Sequence, residues 1–115
     1  MRVPVEIMLR HDPTVFTDVV VHPGEPAQWS VEDVRAVLEG ALLAVDRVQH
    51  RGAHPTPPVS LRGLSWIVSP YRDGVVIAFE IPSASAVAGP FQIDQQLLTH
   101  LVAGAVAAEP PPTTH

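Results

Sequence analysis

Three carboxylates inside apolar alternating segments are the residues of this chain best suited to chemistry. Glu6 and Glu80 each stand between two apolar neighbours, and Asp18 stands between Thr17 and Val19. Carboxyl groups that share a buried site can do acid–base work, because their environments drive their pKa values apart. Arginine suggests a simpler role, since Arg2, Arg10 or Arg62 could form ordinary cross-strand or interfacial ion pairs with these carboxylates. We therefore interpret the three carboxylates first as ion-pair partners and only second as a site.

The histidines do not form a convincing metal or catalytic motif. His50 and His54 have a spacing found in metal sites, but Gly52 should end the helix between them, and no third ligand stands nearby. His11 is adjacent to Asp12, whose turn position before Pro13 explains it without catalysis. The chain has no cysteine, which excludes thiolate sites and disulfides. We expect no metal, no cofactor and no catalytic residue.

Composition narrows the class of protein. The chain has 115 residues, of which 46% are hydrophobic and 17% charged, and its net charge is −5. All seven basic residues are arginines and they form no run, so a phosphate backbone would be repelled. The longest apolar run, 101–108, is too short for a bilayer. These features predict a cytoplasmic protein without a nucleic-acid or membrane partner. We expect one domain over 1–108 and a disordered proline-rich tail over 109–115.

The first half of the chain reads as a hairpin followed by a helix. Apolar residues alternate over 3–9 and again over 15–21, with a turn at Asp12 and Pro13 between the two runs. Ser30 is suited to cap a helix, and Asp33 three residues later can complete a capping box. Apolar residues then recur at helical spacing as far as residue 48.

The second half repeats this pattern. A strand should run from Val59 to Val68, with a bulge near Gly63 where the apolar parity changes. Residues 70–74 indicate a turn, with Asp73 and Gly74 as the hairpin signal, and a strand over 75–82 follows. The small residues of 83–90 indicate a loop, and the apolar stripe over 91–108 indicates a second amphipathic helix.

These elements predict an α+β fold. We expect a two-layer sandwich in ββαββα order, with a four-stranded, mainly antiparallel sheet and two helices on one face. The other face should then be wet, and wet faces are usually polar. Because alternate residues of a strand point to opposite faces, the sequence instead places six apolar residues and several carboxylates on this face. The residues expected on this ligand-facing or interface surface are Met8, Phe16, Asp18, Val20, Ile67, Val76, Ala78 and Glu80.

An apolar patch of this kind indicates association. Patches on the order of several hundred Å² usually mark interaction sites. We therefore expect a small, soluble, non-enzymatic oligomerising domain, a protein-interaction, assembly or accessory subunit whose open sheet face contacts a second copy, most simply as a homodimer, or another protein. The alternative is a small enzyme or small-molecule-binding protein with a pocket at a subunit interface. Glu80, Asp18 and Glu6 would line that pocket, with His11 or His22 at its rim.

Overall fold

The computed structural model describes residues 1–50 and 59–107. Expectations about Gly52, His54 and the 109–115 tail lie outside these residues. The elements, in chain order, are β1 (Arg2–Leu9), β2 (Val15–Val21), a short 3-10 helix (Pro26–Gln28), α1 (Val31–Gln49), β3 (Ser65–Tyr71), β4 (Gly74–Ile81), β5 (Ala84–Phe91) and α2 (Gln95–Ala107).

The fold is α+β, with two helices and a five-stranded antiparallel sheet in the order β2-β1-β5-β4-β3. The predicted four strands and ββαββα order are wrong, because the small-residue segment 83–90 forms a strand and the order is ββαβββα. β5 is the central strand, paired with β1 on one side and β4 on the other. Its Ala84, Ala86 and Ala88 are buried on the helix side. Alanine and serine have weak strand propensity, but tertiary packing overrides propensity in a sheet centre.

The third strand and the last helix also start later in the chain than expected. β3 begins at Ser65 rather than Val59, and Gly63 lies in a turn before it with a positive φ of 73° instead of in a bulge. The irregularity in the sheet lies between Val75 and Ile77, where β4 pairs with β5. The final helix starts at Gln95, because β5 takes the chain as far as Phe91.

The start of α1 is confirmed. Ser30 Oγ accepts a hydrogen bond from Asp33 N–H, and the Ser30 N–H donates to Asp33 Oδ2 at 2.8 Å. This capping box satisfies backbone donors that a helix N-terminus otherwise leaves without partners.

One hydrophobic core joins both helices to a single face of the sheet. α1 packs on β2, β1 and β5, while α2 packs on β3 and on α1. Every buried residue in the described parts of the chain is apolar. Within residues 1–50 and 59–107, no element therefore covers the opposite face of the sheet.

Candidate functional site

The strand register defines the uncovered face, which we call the open face. Directly opposed residues of an antiparallel pair share a face. Val3, Val5 and Ile7 of β1 are buried beneath the helices, so the alternate residues of β1 and their partners point away from the helices. The open face consists of Val15, Thr17, Val19, Val21, Arg2, Pro4, Glu6, Met8, Ser85, Val87, Val76, Ala78, Glu80, Ser65, Ile67, Ser69 and Tyr71.

Large exposed apolar side chains concentrate on this face. Eight are exposed in the described parts of the chain, and seven of them lie here, leaving only Leu97 on α2. The exposed fraction ranges from 37% for Val19 to 69% for Val21, and Ile67 reaches 60%. Scattered apolar residues are normal on a protein surface, but a shared face is not.

Five of the eight residues expected on this surface lie on it. They are Met8, Ile67, Val76, Ala78 and Glu80. Val76 is nevertheless only 8% exposed, beside the irregular pairing of β4 with β5. It therefore offers little area to a partner.

The placement of Phe16, Asp18 and Val20 on the open face is wrong. They pair with Ile7, Val5 and Val3 respectively, and all three point to the helix side. β2 is apolar at both parities, so its alternation does not choose a face. Met8 pairs with Val15, so each odd-numbered residue of β1 lies opposite an even-numbered residue of β2. Because paired residues share a face, the even-numbered residues of β2 lie on the helix side with Val3, Val5 and Ile7.

Asp18 has a structural partner on the helix side. The Arg47 Nη2 of α1 donates to Asp18 Oδ2 at 2.9 Å, and the Val19 N–H donates to Asp18 Oδ1 at 2.7 Å. Partial burial opposes ionisation of Asp18, but these hydrogen bonds and the arginine charge outweigh it and hold the pKa below its usual value. Asp18 is therefore an ion-pair carboxylate, which is the role that the sequence favoured for it. Its partner is Arg47 of α1 and not one of the arginines named from the sequence.

The proposed acid–base site is not assembled within the chain. Glu6 and Glu80 share the open face but are separated by β5, because Glu6 pairs with Val87 and Glu80 pairs with Ser85. Two strand spacings and a two-residue offset put their Cα atoms on the order of 12 Å apart. With Asp18 on the opposite face, the three carboxylates do not converge.

His22 likewise points away from any such pocket. Its Nε2–H donates to Asp33 Oδ1 at 2.8 Å, and its ring meets Trp29 edge to face. The Ser30 N–H and then the His22 hydrogen bond lower the pKa of Asp33. Asp33 thus joins the cap of α1 to the end of β2, which is a structural role.

An open cleft of about 580 Å³ lies where the β1–β2 and β4–β5 connections meet. Arg10, His11, Glu80 and Ser85 line it, and the His11 backbone is left-handed with a φ of 66°. Its polar groups lie on exposed connections and strand ends. The cleft can admit a side chain of a partner, but none of the described polar residues that line it is buried.

Sequence reasoning missed five of the residues that dominate the open face. The even-numbered residues of β2 were expected on this face, but the odd-numbered residues Val15, Val19 and Val21 lie on it. Val87 lies in the segment taken for a loop, and Tyr71 lies in a segment taken for a turn. The signal that could have found Val87 is the strict alternation Ala84, Ala86, Ala88 around it.

Several charges of the open face have no ion-pair partner among the described residues. Arg2, Glu6 and Glu80 point outward from the sheet, and none of them lies within 4.0 Å of an opposite charge. Arg10 continues the same row of β1, since its N–H bonds to the Ser83 carbonyl. Charges of both signs are therefore available on this face for a second molecule.

Comparisons with known proteins leave the function to be argued from this geometry. No protein-family model, curated protein or solved structure shows a significant match to the chain. Within 1–50 and 59–107, no three His, Cys, Asp or Glu residues are grouped so as to hold a metal ion. Over the same residues, neither helix is both long and apolar enough to cross a membrane.

Proposed function

We propose that this protein is a small oligomerising domain, a cytoplasmic accessory or assembly subunit that forms a homodimer through its open sheet face. The observation that carries the proposal is the concentration of large exposed apolar side chains on one face. Burial of that surface stabilises association, by about 25 cal/mol for each Å² of apolar area removed from water. The domain serves as a binding module without catalysis of its own.

The enzyme alternative has less support. It needs carboxylates that converge in a shared pocket, whereas Asp18 is engaged by Arg47 on the other face and Glu6 is separated from Glu80 by β5. An interaction role needs only the apolar surface. For this reason we retain association as the function.

A charge placed on the apolar surface of the open face tests the proposal. Ile67 is 60% exposed, so Ile67→Asp should not disturb the core, yet it would bury a carboxylate in the dimer. We expect sedimentation equilibrium to show a dimer for the wild-type protein at tens of micromolar and a folded monomer for Ile67→Asp. The dimer Kd should rise by about a hundredfold or more, since burying an unpaired charge costs several kcal/mol.

Leu97 provides the matched control. It is 43% exposed, but it lies on α2, away from the open face. Leu97→Asp should leave the dimer unchanged, and circular dichroism should show that both variants are folded. A wild-type monomer at these concentrations, or a dimer that survives Ile67→Asp and dissociates with Leu97→Asp, would overturn the proposal.

A further inference from the structure

We infer that the molecule on the open face is a second copy of this chain, related by a two-fold axis that lies across the strands at the level of Pro4, so that Arg2 of each copy meets Glu6 of the other. This inference rests on the proposed function and adds the register of the dimer. It follows from the state of the two sheet edges, from the charge pattern along β1 and from the size of the face.

The outer edge of β2 is closed to strand addition near its middle. Met1 and His22 exchange backbone hydrogen bonds, so by alternation Val20, Asp18 and Phe16 turn their backbone groups toward β1. Val19 therefore turns its N–H outward. The Asp18 carboxylate accepts that N–H, and Arg47 holds the carboxylate in place. A strand arriving at this edge would meet a negative charge instead of a free donor.

The outer edge of β3 is closed by different residues. Tyr71 and Gly74 flank a two-residue turn and pair with each other, so Val68 and Pro70 turn their backbone groups outward. The Val68 carbonyl accepts a hydrogen bond from Gln95 Nε2 at 3.1 Å, and Pro70 has no N–H. With both edges obstructed, the face is the available surface for a second sheet.

The charges on the open face select the level of the axis. The outward residues are Arg2, Pro4, Glu6 and Met8, with Arg10 continuing the row. A two-fold axis across the strands brings β1 over β1 of the second copy, running the opposite way. An axis at Pro4 places Arg2 over Glu6 twice, whereas an axis at Glu6 places like charges on each other. An axis at Met8 would pair Glu6 with Arg10. It would also place Glu80 of β4 over itself, because Met8 and Glu80 both pair with Ser85. Like charges in contact across an interface are strongly unfavourable.

The same axis matches apolar side chains on the other strands. On β3 it puts Tyr71 over Ile67 of the second copy, and on β2 it puts Val19 over itself. Two sheets packed face to face lie about 10 Å apart and cross at about 30°, so long side chains near the axis still meet.

The face is large enough for a small dimer. With the axis at Pro4, five strands about 4.8 Å apart overlap over roughly five residues each, which gives a projected area on the order of 400 Å². The accessible area of side chains standing on that surface exceeds the projection. It therefore approaches the ~600 Å² per partner at the lower end of specific interfaces.

Charge exchange between two variants tests the register. Glu6→Arg gives a chain with Arg at both positions, and Arg2→Glu gives a chain with Glu at both. Each variant alone opposes like charges, and we expect its homodimer Kd to rise by about tenfold or more at low salt. An equimolar mixture restores both pairs. Sedimentation velocity of the mixture, with one variant fluorescently labelled, should show a heterodimer with a Kd within about threefold of the wild-type value.

Glu25→Arg is the control, because Glu25 is exposed in the connection before the 3-10 helix and lies off the open face. It should neither weaken the homodimer nor favour a mixed dimer with Arg2→Glu. A wild-type dimer whose two variants show no preference for each other would overturn the register but leave the proposed function standing. A monomeric wild-type protein would overturn both.

Discussion

At the scale of single residues, the carboxylates with the clearest contacts stabilise the fold. Asp33 accepts hydrogen bonds from Ser30 and His22, which lower its pKa. Partial burial raises the pKa of Asp18, but the hydrogen bonds from Val19 and Arg47 and the arginine charge outweigh it, so that pKa is also lowered. A carboxylate whose pKa is lower in the folded state contributes stability above its unfolded pKa and loses it as the pH falls through the folded pKa. We expect the free energy of unfolding to decrease as the pH is lowered from about 5 to about 2.

Asparagine substitutions check which carboxylates carry this dependence. Asp33→Asn and Asp18→Asn should each be less stable than the wild-type protein at neutral pH and should each flatten the acid slope. Urea unfolding at a series of pH values measures both quantities. A double variant that keeps the full acid slope would show that other groups carry it.

At the scale of elements, close packing of α1 on β2 depends on Gly40. A Cβ built at Gly40 would lie 2.8 Å from Val20 Cγ1, closer than real Cβ contacts come. Alanine at this position gains about 1 kcal/mol of helix propensity over glycine. The valine side chain is stiff, so the helix or the strand must shift. We therefore expect Gly40→Ala to lower the free energy of unfolding by about 1–3 kcal/mol, as overpacked sites do.

A second substitution separates the clash from the propensity. In a Val20→Ala background the obstructing methyl groups are absent, so Gly40→Ala should become neutral or stabilising by up to about 1 kcal/mol. Chemical unfolding of the four proteins of this cycle measures the coupling. Equal effects of Gly40→Ala in both backgrounds would contradict a contact between α1 and β2 at this point.

At the scale of the whole molecule, the proposed dimer couples folding to association. A partner that binds only the folded state raises the melting temperature as its concentration rises. We expect the Tm of the wild-type protein to increase between low and high micromolar concentration, measured by calorimetry. The Tm of Ile67→Asp should not depend on concentration, because that variant no longer associates. A wild-type Tm that stays constant over this range would contradict the coupling.

The local signals of the sequence determined much of this protein. The capping box at Ser30 and Asp33, the helical stripe of α1, the hairpin that joins β3 to β4 and the apolar alternation of β1 and β4 could be read from the sequence, because each depends on neighbours in the chain. The turn of that hairpin lies one residue earlier than the Asp73-Gly74 signal predicts, since Tyr71 pairs with Gly74. The same alternation placed Met8, Ile67, Ala78 and Glu80 on the side away from the helices.

Only the tertiary structure decided the role of β5 and the face to which β2 turns its side chains. The alanines of β5 have no strong preference for a strand, and it is burial beneath the helices that makes small side chains suitable there. β2 is apolar at both parities, so its pairing with β1 decides that Asp18 meets Arg47 and that Val15, Val19 and Val21 join the open face. Both outcomes depend on contacts between residues distant in sequence, which periodicity along one strand does not contain.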